Sequence, residues 1–162
     1  MDKQDLIAQL RAQLEATARA ARATHDAAAV EAREGATPDE KREDARAAHQ
    51  LTTIGGTQAR RARQAQADAD ALASFRPGPA LARIAVGAIV EIEDDERGEG
   101  RTFFLAPAGA GITLTGPGGD GLLSVVTPQS PIGKAVIGRR AGEVVDVTVD
   151  GELREWQITY VA

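Results

Sequence analysis

Two carboxylates stand three residues apart where the sequence predicts the start of a helix. Glu40 and Glu43 have the spacing that puts two side chains on one face of a turn, and Asp39 and Asp44 flank them. Carboxylate oxygens are the ligands that a hard divalent cation prefers. The same acids also favour the first turn of a helix, because they interact well with its dipole. The four residues alone therefore leave metal binding and helix initiation both open.

Three arginines, Arg60, Arg61 and Arg63, form a basic cluster further along the chain. Guanidinium groups bind phosphate as bidentate donors. The alternative is a solvated helix face, which is the usual role of a run of charges. The chain as a whole has 19 basic and 24 acidic side chains, which argues against tight, non-specific binding to nucleic acid.

Both charged groups lie in an N-terminal half with helical periodicity. Apolar residues recur at three- to four-residue spacing at Leu6, Leu10, Leu14, Ala18 and Ala21. Thr37 and Pro38 provide a cap and a first-position proline for a second helix, predicted from about Pro38 to Ala73. Its predicted buried positions are Ala48, Leu51, Ile54, Ala59, Ala62, Ala65, Ala69 and Leu72. Two helices of similar length with a short break predict an antiparallel hairpin over 1–74, with its tip near 34–44.

Alanine supplies most of this predicted contact between the helices, which we call the alanine seam. Each buried alanine removes much less apolar surface from water than leucine does. Gly55 and Gly56 lie within the second helix, where each glycine costs about 1 kcal/mol relative to alanine. We therefore expect a marginal hairpin that frays towards its tip.

The composition changes near Ser74, after which fourteen of the 17 glycines and six of the seven prolines occur. Residues 75–79 are predicted to be a linker, and 80–162 a small α+β domain. The predicted strands are 89–93, 102–105, 112–115, 122–126, 143–149 and 156–161. Asp150 and Gly151 are typical of a type I′ turn between the last two strands.

One short helix is predicted between these strands, within residues 130–138. Ser130 is suited to cap the first turn, and Pro131 occupies the first helical position, where a missing N–H costs nothing. Gly138 can adopt the left-handed conformation that ends a helix. The helix, strand, turn and strand at the end of the chain resemble the C-terminal domain of Gre-type (GreA/GreB family) transcript cleavage factors of bacterial RNA polymerase. The order of a helical hairpin before a strand-rich domain also resembles that family. The resemblance implies an antiparallel coiled-coil hairpin followed by an FKBP-like antiparallel β-sheet domain with one short helix.

The same resemblance implies an elongation factor that enters the polymerase secondary channel and stimulates cleavage of backtracked RNA at its 3′ end. Glu40 and Glu43, with Asp39 and Asp44 as secondary candidates, would add ligands to Mg²⁺ in the polymerase active site. The factor would then need no cofactor of its own and would not itself be an enzyme.

Two further roles follow from the resemblance. The basic cluster would contact RNA, and a docking surface on the polymerase side would comprise Ser130, Pro131 and Ile132. The family tip has approximately the sequence Asp-Leu-x-Glu-Asn-Ala-Glu-Tyr, from which this chain departs at Glu40, Lys41, Arg46 and Ala47. These departures leave open a channel-binding inhibitor or regulator that does not stimulate cleavage. The sequence also leaves open an isolated enzyme, such as a prolyl isomerase, and a coiled-coil oligomer.

The cysteine content and the hydropathy of the chain restrict the class of protein further. The chain has no cysteine, which excludes disulfides and thiolate metal sites. No signal-peptide pattern follows Met1, and no apolar run approaches the roughly 20 residues of a membrane span. We therefore expect a cytoplasmic, monomeric protein without a membrane partner.

Overall fold

The fold was analysed in a computed structural model, which describes residues 3–34, 44–79, 82–116, 119, 121–149 and 151–162. The elements are α1 (Lys3–Glu34), α2 (Asp44–Ser74), β1 (Ile89–Asp94), β2 (Glu99–Leu105), β3 (Thr113–Thr115), β4 (Leu122–Val126), α3 (Pro131–Val136), β5 (Val144–Val149) and β6 (Glu152–Val161). This order confirms the predicted fold class of two long helices followed by a sheet domain with one short helix. The predicted start of the second helix at Pro38 lies outside the described residues.

The chain divides into two compact units, Ala12–Asp70 and Met1–Arg11 with Ala71–Ala162. We call the first the hairpin unit and the second the sheet unit. The predicted domain limits, 1–74 and 80–162 with a linker at 75–79, stay a prediction about which parts fold independently.

The hairpin unit consists of two antiparallel helical segments. Arg22 on α1 donates a hydrogen bond of 3.4 Å to Gln66 on α2, while His25, further along α1, faces Gly55, which is earlier on α2. The contact positions therefore run in opposite directions along the two helices. As the periodicity predicts, the buried residues of this unit include Leu14, Ala18, Ala21, Ala62, Ala65 and Ala69.

One predicted contact position in the hairpin unit is wrong. Ile54 is 49% exposed, and the neighbouring Gly55 is buried instead. A Cβ built on Gly55 would lie 3.8 Å from Cδ2 of His25, so the histidine occupies the space beside the glycine backbone. The buried stripe is displaced by one residue here, at the start of the stretch from Ile54 to Ala59 in which the spacing of the predicted positions slips. The side chains of Ala48 and Leu51 lie outside the part of the chain that is described.

The sheet unit contains a six-stranded sheet in the order β3-β4-β2-β1-β6-β5. Four neighbouring pairs are antiparallel, whereas β2 and β4 are parallel, with Phe103 opposite Ser124. We expected a wholly antiparallel sheet, but the observed sheet is mixed. The cause is the path of the chain: β3 forms the outer edge, and β4 returns between β3 and β2. Because β4 is antiparallel to β3, it runs in the same direction as β2.

The sheet unit has a core of large side chains. Trp156 is fully buried, and the Arg101 guanidinium lies 5.4 Å from its ring centroid. The buried cluster around it consists of Ile84, Ala88, Val90, Ile92, Phe103, Leu105, Val126, Val136, Val145, Val147 and Ile158. Ile132 and Ala135 of α3 pack against this cluster. The core therefore fixes the position of α3.

The first turns of α1 belong to the sheet unit and pack closely within it. A Cβ on Gly109 would lie 2.6 Å from Cδ1 of Leu10, and Gly109 has a φ of +86°. The side chain of Gln9 donates to the Thr115 carbonyl at 3.2 Å and accepts from the Thr115 N–H at 3.0 Å. Thr115 lies on an edge strand, where backbone N–H and carbonyl groups lack a neighbouring strand. The Gln9 side chain forms hydrogen bonds with both of these groups of Thr115 and so protects the edge.

Candidate functional site

The start of α3 is the best defined of the predicted site segments. Ser130 adopts an extended conformation, and its hydroxyl accepts a hydrogen bond of 3.1 Å from the Gly133 N–H. The same hydroxyl donates to the Thr127 carbonyl at 2.8 Å. Pro131 follows at the first helical position. The structure confirms the predicted capping arrangement, and it shows that the Ser130 hydroxyl both donates and accepts a hydrogen bond within the chain.

Gly133 is required for close packing inside this segment. A Cβ at this position would lie 2.0 Å from the Thr127 carbonyl oxygen and 2.9 Å from the Thr127 carbonyl carbon. A contact of this kind with backbone cannot be relieved by rotating a side chain. The glycine therefore allows the turn at Thr127 to lie directly against the helix.

The end of α3 is held by backbone hydrogen bonds to the segment before β1. Gly138 has a φ of +78°, as expected for a residue that terminates a helix. Its N–H donates to the Ile84 carbonyl at 2.8 Å, and the Ile84 N–H donates to the Arg139 carbonyl at 2.8 Å. Arg83 adds a hydrogen bond of 2.9 Å to the Gly138 carbonyl. Both ends of the short helix are thus fixed to the sheet unit.

The outward side of α3 differs from the predicted docking set. Pro131 is exposed, but Ile132 packs against the core and Ser130 is half-buried. Lys134 and Ile137 are exposed together with Pro131, and Ile137 is 42% exposed. We call Pro131 and Lys134, together with the C-cap residue Ile137, the outward face of α3. Pro131 and Lys134 have the three-residue spacing of one helix face, a signal that was available in the sequence.

The basic cluster lies on the exposed side of α2. Arg60, Arg61 and Arg63 are all exposed, while Ala62 between them is buried. Within the described ranges, none of the three arginines forms an ion pair. Arg61 also lines a shallow groove between the two helical segments. The cluster can therefore donate to an external phosphate, and its predicted contact with RNA stays a prediction.

None of the acidic candidates has a side chain that the structure describes. Asp39, Glu40 and Glu43 fall between the end of α1 and the start of α2, and Asp44 begins α2, its side chain lying outside the described set. Their role as metal ligands stays a prediction. Elsewhere in the described chain, no three His, Asp or Glu side chains converge as metal ligands would.

A second acidic region arises from folding rather than from a local motif. Glu93 near the end of β1, and Asp95 and Glu96 in the turn that follows, line a depression together with Glu155 from β6. The neighbouring Asp94 is buried and accepts from the backbone N–H groups of Glu96 and Arg97, so its carboxylate stabilises the turn. The predicted strands 89–93 and 102–105 imply a connection here, but the sequence does not place Glu155 beside it.

Comparison with known proteins gives one family match and several structural similarities. One similar structure is GreA factor homolog 1 (Gfh1) of Thermus thermophilus, which is 20% identical, with 96% of this chain and 94% of that chain covered and a TM-score of 0.41. Another is Gfh1 of Thermus aquaticus, which is 24% identical, with 94% of this chain and 90% of that chain covered and a TM-score of 0.41. A third is the elongation factor GreA/GreB of Nitrosomonas europaea, which is 14% identical, with 60% of this chain and 78% of that chain covered and a TM-score of 0.40. No curated protein matches the chain. In the described ranges, no helix has the length and hydropathy needed to cross a membrane.

The family match covers residues 79–162, which include every strand, α3 and the motif that begins at Ser130. The matching model describes the C-terminal domain of the transcription elongation factors GreA and GreB. Because the match extends over more than half of the chain, this protein belongs to the GreA/GreB family of transcription elongation factors.

Proposed function

We propose that this chain binds in the secondary channel of bacterial RNA polymerase and stimulates cleavage of backtracked RNA at its 3′ end. Factors of this family bind RNA polymerase and are not enzymes in their own right. Three parts of the chain would carry this function, namely the acidic connection between α1 and α2, the hairpin unit and the outward face of α3.

The observation that most supports the proposal is the position of the acids relative to the helices. The helix before them, α1, has 32 residues, and the helix after them, α2, has 31. At a rise of 1.5 Å per residue, a helix of this length extends about 45 Å. Asp39, Glu40 and Glu43 stand between these helices in the sequence, which supports a tip that carries carboxylates.

The alanine seam suits insertion into a channel. Small residues at a contact allow helix axes to approach to the short end of the usual range of 8–10 Å. Ala18, Ala21, Ala62, Ala65 and Ala69 are all buried in the hairpin unit. The seam therefore gives up apolar burial, but it keeps the cross-section of the two-helix element small.

The chemistry of the donors also fits the proposal. Glu40 and Glu43 offer the oxygen ligands that Mg²⁺ prefers. A second metal ion stabilises the attacking and leaving oxygens in a phosphoryl displacement. The chain's own contribution would be to present and orient these carboxylates, while the basic cluster of Arg60, Arg61 and Arg63 would bind RNA phosphates.

The outward face of α3 would provide the docking surface. Pro131 and Ile137 offer exposed apolar area before and after the exposed Lys134 in the sequence. Because Ser130 caps the helix and Ile132 packs into the core, these two predicted docking residues would act by positioning that face.

A second function is favoured by the sequence of the acidic connection itself. Lys41 and Arg42 separate Glu40 from Glu43, and Arg46 follows where the family has an acid. Cations so close to the carboxylates reduce the negative potential that attracts a metal ion. A factor of this kind would occupy the channel and slow transcription without stimulating cleavage.

A cleavage assay on stalled elongation complexes tests the proposal. We expect the wild-type chain to shorten the RNA from its 3′ end. Glu40→Ala with Glu43→Ala is expected to reduce shortening to the level seen without factor, while polymerase binding is retained. The matched control is Glu93→Ala with Glu96→Ala, which removes two exposed carboxylates from the end of β1 and the following turn and should leave cleavage unchanged.

The outcomes separate the two functions. Unchanged shortening in the Glu40→Ala, Glu43→Ala variant would rule out these residues as metal ligands. Slower RNA synthesis with wild-type factor, and no shortening under any condition, would favour the inhibitor instead. Failure to bind polymerase would contradict both.

A further inference from the structure

We propose that the hairpin unit contains a joint, formed by residues 24–26 of α1 and 52–57 of α2, at which its distal part opens and bends independently of the rest. This inference concerns the mechanics of the hairpin unit. It goes beyond the proposed function and holds equally for a factor that stimulates cleavage and for one that inhibits.

The α2 side of the joint is an uninterrupted run of poor helix formers. Residues 52–57 are two threonines, an isoleucine, two glycines and a threonine, and all six are helical. β-branched residues and glycine have low helix propensity, because they lose more conformational freedom in a helix than alanine does. The Thr57 hydroxyl also donates to the Thr53 carbonyl at 3.0 Å. A bond of this type competes with the helical backbone and often bends it.

The α1 side of the joint has the same features at the facing position. Thr24 donates its hydroxyl to the Ala20 carbonyl at 3.0 Å, which repeats the arrangement at Thr57. His25 and Asp26 follow, and both have low helix propensity. His25 is also the residue that faces Gly55 across the hairpin. Low helix propensity therefore occurs in α1 and α2 at positions that face each other across the hairpin unit.

The glycine pair has no structural requirement that explains it. Neither Gly55 nor Gly56 has a φ in the left-handed region, because both are helical. A Cβ on Gly56 would meet no atom within 4 Å, and one on Gly55 would make only an ordinary van der Waals contact of 3.8 Å with His25. Alanine fits both positions, so what the glycines contribute is a lower resistance to unwinding and bending.

The two sides of the joint also differ in packing. On the side towards the sheet unit, Ala21 and Ala62 are 4% and 2% exposed. Side-chain pairs four residues apart reinforce α2 there, with Gln64 donating to Asp68 at 2.7 Å. On the other side, Val30 is 50% exposed although it is the largest apolar residue of that stretch of α1. Within α1, the joint thus separates a segment with buried residues from residues 27–31, none of which is buried.

Amide hydrogen exchange tests the joint directly. We expect residues 27–33 and 45–51 to exchange faster than residues 14–21 and 60–69 in the wild-type chain. Gly55→Ala with Gly56→Ala should raise the protection of the distal segments roughly 30-fold, since each substitution favours the helix about fivefold, and should leave the proximal segments unchanged. Thr17→Ala is the matched control, because it improves propensity in α1 away from the joint.

Two results of this experiment would overturn the inference. Unchanged distal protection in the double variant would show that opening stops at the tip and does not reach residues 55–56. An equal gain in both segments would show that the hairpin unit opens as one piece. Neither result bears on RNA cleavage, so the joint and the proposed function fail separately.

A distance measurement tests bending without relying on exchange. The chain has no cysteine, so a pair of spin labels can be attached at Val30→Cys and Ala67→Cys, both exposed positions on opposite sides of the joint. The positions are separated by about 25 Å along the hairpin at 1.5 Å per residue. We expect a broad distance distribution that narrows when Gly55→Ala and Gly56→Ala are added. A narrow distribution in the labelled wild-type background would contradict the joint.

Discussion

The two units of this molecule bury very different side chains. The sheet unit encloses Trp156, Phe103 and Phe104, each no more than 1% exposed. The hairpin unit buries five alanines and one leucine among its described contact positions. Fully burying a large apolar side chain contributes about 1.5–3 kcal/mol, and one methyl group contributes about 0.8 kcal/mol. Stability is therefore concentrated in the sheet unit, whereas the hairpin unit is built to be narrow.

This difference suits the two roles that the proposed function assigns to the units. A docking face on α3 would have to keep its shape, and hydrogen bonds hold both ends of α3. An element that enters a confined space benefits from a small cross-section and from a joint such as the one at Gly55 and Gly56. Four substitutions test this division, beginning with the one that should have the largest effect.

Trp156→Ala is expected to destabilise the sheet unit by about 3–5 kcal/mol, the usual cost of removing a large buried aromatic side chain. Trp156 is 0% exposed and lies within the main cluster. Urea unfolding followed by far-UV circular dichroism measures the loss. Tyr160→Ala is the control, since Tyr160 is 40% exposed and its removal should cost less than about 1 kcal/mol. Equal costs for the two variants would contradict the concentration of stability around Trp156.

Gly133→Ala is expected to destabilise the sheet unit by about 3 kcal/mol, at the upper end of overpacking costs. The added Cβ would lie 2.0 Å from the Thr127 carbonyl oxygen, so α3 or the turn must move. Thermal unfolding gives the cost, and polymerase binding should weaken with it. Lys134→Ala, at an exposed position of the same helix, should leave the melting temperature unchanged. A Gly133→Ala variant as stable as wild type would show that the segment adapts.

Ala65→Gly is expected to destabilise the hairpin unit by about 2 kcal/mol, from roughly 1 kcal/mol of helix propensity and ~0.8 kcal/mol of lost apolar burial. Ala65 is 5% exposed. Ala67→Gly is matched to it because Ala67 is exposed, so only the propensity cost applies. Far-UV circular dichroism should report the lost helix while Trp156 fluorescence stays native. An equal effect of both glycines would mean that the alanine seam contributes no packing energy.

The sequence predicted the elements well because each has a local cause. Leu6, Leu10 and Leu14 repeat with helical spacing, and Ser130 and Pro131 mark the start of α3; all of these are confirmed. The parallel pairing of β2 with β4 was missed, because pairing depends on where the returning chain finds a free edge. Strand alternation carries no information about the direction of a neighbour.

The candidate site was predictable to a smaller extent, for the same reason. The cap at Ser130 involves residues close in sequence and could be foreseen. The inward position of Ile132 could not be deduced, because it depends on the core that α3 meets. Gly55 replaces Ile54 in the contact because of His25 on the other helix. The depression beside Glu93 likewise needs Glu155, more than sixty residues away.

Ser130→Ala should have the smallest effect of the four, about 1 kcal/mol, because it removes one helix cap. The hydroxyl is already engaged with the Gly133 N–H and the Thr127 carbonyl. Asparagine is an equally good cap, so Ser130→Asn should restore both thermal stability and polymerase affinity. If Ser130→Asn recovers stability but not affinity, the hydroxyl must contact the polymerase directly. In that case the docking surface would include the cap itself, and the division between a positioning residue and the exposed face of Pro131, Lys134 and Ile137 would be wrong.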